Sequence, residues 1–574
     1  MKSRLYVLIG VFCLGLIGLS LRLFFWQVIK SKELTQEARY QHQNGRKIQA
    51  KRGNILASDG SFLAASQSSW LLFVQKSEIS LSHKDLANKL GPLVVEEIKE
   101  GENAKQKLMD EVLRIQEVLD RKDLVWVPIK HKITIDVKRN IEALKLKGVG
   151  FDPEELRFYP EASASAHVLG FVGKDDEGVD KGYFGLEGYY DLSLAGKPGF
   201  IKEESDTRGV PILIGQSKEI TALGGVDLKT TIDKRIQFIV EDKLKQGIEK
   251  YGAKNGVAIL MEPKTGKVRA MAAYPSYDPA TYSQFEQEFF KNPAISDSFE
   301  PGSIFKPLVM AAALDSKAIE VDTVCDICGG PVKVDKYTIE TWNKKYKPDS
   351  SMTEIIVHSD NVGMTFIGQK LGTEKLYDYL KKYGLGSLTG IDLQGEATPA
   401  LREKNKWNIV DLATATFGQG IAVTPIQIIK AFSAIANNGK MVTPQIVEKI
   451  VKDGKEQNIK TDIQKEVISE SVAAQTTAMM VEAVEKGEAK WTYVPGFKVA
   501  GKTGTAQIPI GGHYDAEKTI ASFIGFAPAN DPKFIMLITL REPQSSPWAS
   551  ETATPLWFSI AKDLFPYLGI QPEN

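Results

Sequence analysis

Leu5 to Leu21 is an unbroken run of 17 uncharged residues at the start of the chain, and it limits the fold more than any other feature. A helix needs about 20 mainly apolar residues to cross a bilayer. Arg22 interrupts the run, but Leu23 to Ile29 resumes it. The Arg22 stem can lie along apolar surface with its charge at the boundary, where Trp26 is also at home. Residues 5–29 are therefore expected to form a transmembrane anchor, preceded by a short N-terminus, residues 1–4. A cleaved signal peptide is the rival reading, but the core is long and no small-x-small site follows it. Lys2 and Arg4 precede the span while Arg22, Lys30 and Lys32 follow it, so charge alone does not orient it. The short N-terminal side places that end in the cytoplasm and the body of the protein outside.

The rest of the chain is long enough for two or more domains. Lys+Arg and Asp+Glu balance at 72 each, which leaves no footprint for nucleic acid. Residues 30–205 read as an α+β pedestal. Glu33 to Gln49 is polar and helix-like, and Arg52 to Ala64 reads strand, turn, strand around Asp59-Gly60. Lys- and Glu-rich amphipathic helices follow between His83 and Lys122. This region holds no catalytic constellation, and His167 is expected to pack or hydrogen-bond. Residues 206–225, with four glycines and little periodicity, read as a linker. From 226 to 574, strands at both ends with helices between them predict an antiparallel sheet, helices packed on it and a helical lobe.

Within that last segment stands Glu300-Pro301-Gly302-Ser303-Ile304-Phe305-Lys306-Pro307, followed by an apolar run to Leu314. Pro301 and Gly302 punctuate a helix start, and Pro307 is tolerated only near one. The helix is expected to begin at or just before Ser303. Its hydroxyl then lies near the positive end of the helix dipole, with Lys306 one turn on as a candidate base. The same spacing recurs at Ser559 and Lys562, inside an apolar segment that reads as a packing helix. Two further pieces follow in order. Ser359-Asp360-Asn361 is read as carried on a helix, and Lys502-Thr503-Gly504 follows an apolar strand. Lys264-Thr265-Gly266 repeats the second tripeptide but reads as a hairpin turn with charged flanks. Ala413 to Asn437 is expected to be largely helical. Cys325-Asp326-Ile327-Cys328 lacks further ligands for zinc, which leaves a local disulfide and free thiols both open.

Ser303-x-x-Lys306, Ser359-Asp360-Asn361 and Lys502-Thr503-Gly504 form a known trio of serine acyl-transfer enzymes. From Arg52 to the C-terminus the chain resembles a class B penicillin-binding protein, a monofunctional peptidoglycan DD-transpeptidase. Arg52-Gly53-Asn54-Ile55, Arg157-Phe158-Tyr159-Pro160, Gly185-Leu186-Glu187-Gly188 and Phe417-Gly418-Gln419-Gly420 carry the likeness. Asn361 as third residue resembles the division branch more than the elongation branch. The Arg-Asn of the family's Asp-Arg-Asn-Gly turn is absent at Asp59-Gly60, and Cys325 and Cys328 are not expected.

The resemblance implies a Ser303 acyl-enzyme formed on the D-Ala-D-Ala end of a stem peptide, with D-Ala released and a neighbouring amine forming the cross-link. It implies that Ser359 relays a proton, that Asn361 holds substrate or orients Lys306, and that Lys502 supplies a nearby cation. It places Thr503, Gly504 and Thr505 against the substrate and assigns the oxyanion to the backbone N–H groups of Ser303 and Thr505. Covalent inhibition by β-lactams, a bacterial cell-membrane location and glycan-polymerase and other divisome partners are further implications. No cofactor or metal is expected. The alternatives are a DD-carboxypeptidase or β-lactamase-type hydrolase, and a β-lactam-binding sensor or scaffold.

Overall fold

In the computed structural model the described residues are 2–31, 43–95, 103–204, 218–460, 463–510 and 513–573. The first helix, Lys2–Phe24, continues through Phe25–Ile29 as a wider turn. Val7–Ile29 has a mean hydropathy of 2.3 and is the one described helix long and apolar enough to cross a membrane.

The chain divides into two units. One comprises Met1–Arg52 with Ala195–Gly225. In it, Gln43–Ile48 pairs antiparallel with Gly199–Glu204, which pairs with Lys218–Ile220. The described end of the Glu33–Gln49 segment is therefore a strand and not a helix, and the rest of it lies outside the described residues. Pairing across more than 150 residues of sequence decides its conformation, which local polarity cannot reveal. Most of the expected linker also lies outside the described residues.

The second unit comprises Gly53–Leu194 and Val226–Asn574. Ile55–Leu56 and Phe62–Gln75 form the expected hairpin, closed by a turn in which the Gly60 N–H donates to Ala57. Asp227–Thr230 pairs parallel with Ile55–Leu56 and antiparallel with Val447–Lys452, so a single sheet joins segments distant in sequence. A Cβ on Gly53 would lie 1.9 Å from the Val226 carbonyl oxygen, and only glycine permits that approach. Arg157 donates from Nε to Glu187 at 2.6 Å and from Nη1 to the Gly53 carbonyl at 2.7 Å. Both charged groups are enclosed. Three of the sequence motifs thus meet in one buried ion pair and the backbone beside it. His167, also buried, bonds through Nε2 to the Phe289 carbonyl, as a packing residue would. Burial lowers its pKa to about 4.

The second sheet runs in the order Val268–Tyr274, Asn255–Met261, Phe534–Arg541, His513–Ala527, Ala500–Ile510, antiparallel throughout. Phe534 to Leu540 is buried without interruption, as a central strand covered on both faces must be. Its side chains alternate between two cores. Phe534, Met536, Ile538 and Leu540 pack with Trp557 and Phe565 of the helix Ala553–Tyr567, whereas Ile535 and Leu537 join Phe305 and Leu308. Ser559 belongs to that packing helix, with Lys562 exposed on its outer face.

The segment 413–437 is not one helix. Ile409–Ala415 and Pro425–Ala436 are separate, and Gly418 and Gly420 both take positive φ in the loop between them. Asn408 and Thr424 each cap their helix with a reciprocal box, which fixes two starts instead of one.

Candidate active site

Ser303 lies on a tight 3-10 turn, Gly302–Phe305, and Lys306 opens the α-helix Lys306–Asp315. The α-helix thus begins three residues later than expected. Gly302 has φ +56°, which a larger residue adopts only under strain. Its N–H donates to the Gly418 carbonyl at 3.1 Å, so the Phe417-Gly418-Gln419-Gly420 loop backs the serine turn. On the other side, a Cβ on Gly504 would stand 2.7 Å from the Ile304 Cγ2 and 2.8 Å from its backbone nitrogen. Gly504 is therefore a contact with the serine turn, and it lets the edge strand Ala500–Ile510 lie directly against the serine.

Ser359 and Asn361 are not on one helix. Met352–Val357 ends before them and Asn361–Lys382 begins after Asp360. Ser359 sits in the break at φ +54°. The Asp360 carboxylate caps the second helix by accepting from the Val362 N–H at 2.8 Å. This break turns the Ser359 hydroxyl and carbonyl toward Lys306.

Lys306 is fully buried. Its Nζ donates to the Ser359 carbonyl at 2.5 Å and to Asn361 Oδ1 at 2.8 Å, and lies 3.2 Å from the Ser359 hydroxyl. Lys502 reaches the same hydroxyl from the edge strand at 3.0 Å, and its Nζ also donates to the Thr503 carbonyl at 3.0 Å and the Thr503 hydroxyl at 3.2 Å. The Asn361 amide donates onward to the Glu340 carbonyl at 3.1 Å. Thr505 Oγ1 accepts from the Ala549 N–H at 3.1 Å.

Two amines on one hydroxyl repel as cations, and burial penalises both charges. Burial first, and the Lys502 charge second, hold the Lys306 amine well below the ordinary lysine range, while Asp360 and Glu488 oppose the fall. Lys502 is lowered to about 8 by burial, with Glu488 opposing. Both amines are thus depressed, and Lys306, which feels the Lys502 charge as well as burial, is the one that gives up its proton more readily. Such a division of roles between neighbouring titratable groups marks an acid–base centre.

Ser303, Ser359, Asn361, Thr503 and Thr505 line one cavity of about 90 Å³, with both lysines beneath it. The sequence does not single out Trp342 and Trp548, whose rings stand 5.4 Å apart at its mouth. Nor does it single out Glu488, which lines the same cavity. Half-exposed tryptophans beside a cleft are a recognition signal only once the cleft is known. Phe417 and Gln419, noted as a motif, prove to be part of the wall.

The decoys lie elsewhere. Lys264-Thr265-Gly266 is a turn in which the Gly266 N–H donates to Glu262, and Lys264 pairs with Asp531 at the surface. Cys325 and Cys328 form a disulfide, which settles what their spacing leaves open. Cys325 pairs across a short ladder with Ser350, just before the helix that leads to Ser359.

Comparison with known proteins identifies the family. The family described as the penicillin binding protein transpeptidase domain matches residues 256–565, and the penicillin-binding protein dimerisation domain matches residues 47–230. Stage V sporulation protein D of Bacillus subtilis is 32% identical over 100% of this chain and 87% of its own length. The peptidoglycan D,D-transpeptidase FtsI of Buchnera aphidicola is 29% identical over 100% of this chain and 96% of its own. Among solved structures, penicillin binding protein 2X from Streptococcus thermophilus matches with a TM-score of 0.75 at 24% identity, over 92% of this chain and 83% of that one. Penicillin binding protein 3 from Mycobacterium tuberculosis, solved with aztreonam, matches with a TM-score of 0.69 at 25% identity, over 92% and 98%. With a dimerisation domain before the transpeptidase domain, the chain belongs to the class B penicillin-binding proteins.

Proposed function

We propose that this protein is a peptidoglycan D,D-transpeptidase that cross-links stem peptides through a Ser303 acyl-enzyme in septal wall synthesis. The observation that carries the reading is the convergence of Lys306 and Lys502 on the Ser359 hydroxyl, beneath a cavity that Ser303 lines.

A neutral lysine has two N–H donors and one lone pair. The Ser359 carbonyl and Asn361 Oδ1 accept from both donors of Lys306, so the lone pair is the position for a hydroxyl proton, and in this reading it takes that of Ser303. Asn361 thereby orients the base, and its own amide is already engaged by Glu340. Ser303 Oγ attacks the carbonyl of the penultimate D-Ala. The oxyanion is held by the N–H groups of Ser303 and Thr505, preorganised donors aimed at developing charge. The proton on Lys306 passes through the Ser359 hydroxyl to the leaving amine, and D-Ala departs. A stem-peptide amine then repeats the sequence in reverse and forms the cross-link. Lys502 and the Thr503 and Thr505 hydroxyls receive the terminal carboxylate; Thr505 Oγ1 is fixed by the Ala549 N–H and keeps its own proton to donate. β-Lactams acylate the same serine.

The N-terminal helix anchors the protein in the bacterial membrane with its N-terminus in the cytoplasm and the catalytic domain outside. The pedestal and anchor meet a glycan polymerase and other divisome membrane proteins.

Labelled penicillin tests the assignment with wild type, Ser303→Ala and Ser559→Ala proteins. Only Ser303→Ala is expected to lose label; label retained there, or lost only from Ser559→Ala, would overturn it. Stem peptide supplied with an amine acceptor is expected to give cross-linked product, and D-Ala release without product would indicate a hydrolase instead.

A further inference from the structure

Among the described residues, Glu488 is the one charged side chain lining the cavity, and the mechanism leaves it unused. It lies two residues beyond the helix Glu470–Lys486 and also faces a second, smaller cavity behind the edge strand, lined by Lys502, Thr503, Phe523 and Phe558. Its Oε2 accepts from the Thr503 hydroxyl at 3.4 Å. Its Oε1 is enclosed and has no hydrogen-bond partner. The Thr503 hydroxyl in turn accepts from Lys502, so ammonium, hydroxyl and carboxylate form one chain that ends on an unsatisfied oxygen.

A hydroxyl has one proton to give. Thr503 gives it to Glu488. A bound terminal carboxylate needs that same proton, and it brings a second negative charge into the same cavity. If Thr503 turned to the ligand, both Glu488 oxygens would be left unpaired beside another carboxylate. Two carboxylates sharing a site do not both stay ionised.

We propose that Glu488 makes this a proton-coupled anion subsite: the cleft accepts the ligand's carboxylate together with one proton, which Glu488 takes. The balance is simple. A solvent proton adds to the Glu488 carboxylate, the new O–H donates to Thr503 Oγ1, and the Thr503 proton swings to the ligand. The ligand class is a peptide or β-lactam carrying a free carboxylate, so the inference rests on the function proposed above. The charged and titratable groups on the surrounding elements are Lys502 on the edge strand, Lys306 on the serine helix, and Asp360 and His358 beside Ser359. Glu485, Lys486 and Lys490 flank Glu488 on its own segment.

The test is calorimetry of benzylpenicillin acylation at pH 6.5 in two buffers of different ionisation enthalpy, normalised to acylated enzyme. Wild type is expected to take up about one proton more per acylated site than Glu488→Gln. Glu488→Asp is expected to restore uptake, and Glu488→Thr repeats the comparison should the Gln protein be insoluble. Equal uptake in wild type and the Gln or Thr variant would overturn the proposal, as would negligible uptake in wild type. Loss of acylation in both variants would overturn it too, because it would place Glu488 in the acylation step itself. A wild type that takes no label on Ser303 would instead refute the function on which the inference rests.

Discussion

Lys264-Thr265-Gly266 and Lys502-Thr503-Gly504 are the same three residues in two settings. In the first, the lysine pairs with Asp531 at the surface, the threonine hydroxyl donates to Glu262 at 2.8 Å, and the glycine closes a turn at φ +76°. In the second, the lysine is buried against Ser359, the threonine faces the cleft, and the glycine packs on the serine turn. The functional groups on offer are the same in both places. What differs is the water around it: burial lowers Lys502 to about 8, whereas the Lys264 ammonium keeps its hydration. A tripeptide acquires chemistry from the strand that carries it and the neighbours that enclose it.

This contrast can be broken by substitution. Lys502→Ala should reduce the rate of penicillin acylation by about 10³-fold, since it removes a preorganised charge from the anion site. Lys264→Ala should leave that rate within about twofold, because exposed pairs contribute little. Comparable losses in both would mean that the surface turn matters in a way the geometry does not express.

The glycines separate catalysis from stability. Gly504→Ala pushes a Cβ into Ile304 and displaces the serine turn, so acylation should fall about 10²-fold while the folded fraction stays high. Gly266→Ala meets the Thr443 carbonyl oxygen at 2.1 Å at a positive φ. It should cost about 1–3 kcal/mol in denaturant unfolding while folded protein keeps its acylation rate. The reverse pattern would sink the assignment of Gly504 as the spacer behind the serine.

A further expected effect is on pH. The anion site needs Lys502 charged, so acylation should fall as pH rises through about 8, by up to about tenfold per unit. Lys264→Ala should not move that limb.

Much of the site is legible in the amino-acid sequence. Pro301, Gly302 and Pro307 distinguish Ser303 from Ser559 because they mark a chain turn into a helix, and the apolar run to Leu314 marks that helix as buried. The strand before Lys502 separates it from Lys264. Pattern alone misplaces Ser359 for a physical reason: Ile355, Ile356 and Val357 before it and Val362 and Met364 after it are all buried, so apolar periodicity runs through the break. Asp360 as a capping residue is the one sign of that break. Glu488 carries none, because an acidic residue just past a helix end reads as solvated until the fold turns it inward. Gln43–Ile48 escapes in the same way, its conformation being set by Gly199–Glu204 far along the chain.

The strand Ala500–Ile510 ends its sheet, and that position carries a hazard as well as a use. An open row of backbone donors and acceptors recruits any extended chain, including a second copy of itself, and edge-to-edge pairing is the usual seed of aggregation. Here the serine turn presses on Gly504 partway along the strand, and Pro509 removes a donor near its end. That proline interrupts the row of donors towards the end of the strand. The residue that shortens the open row thereby limits the pairing that an edge strand invites.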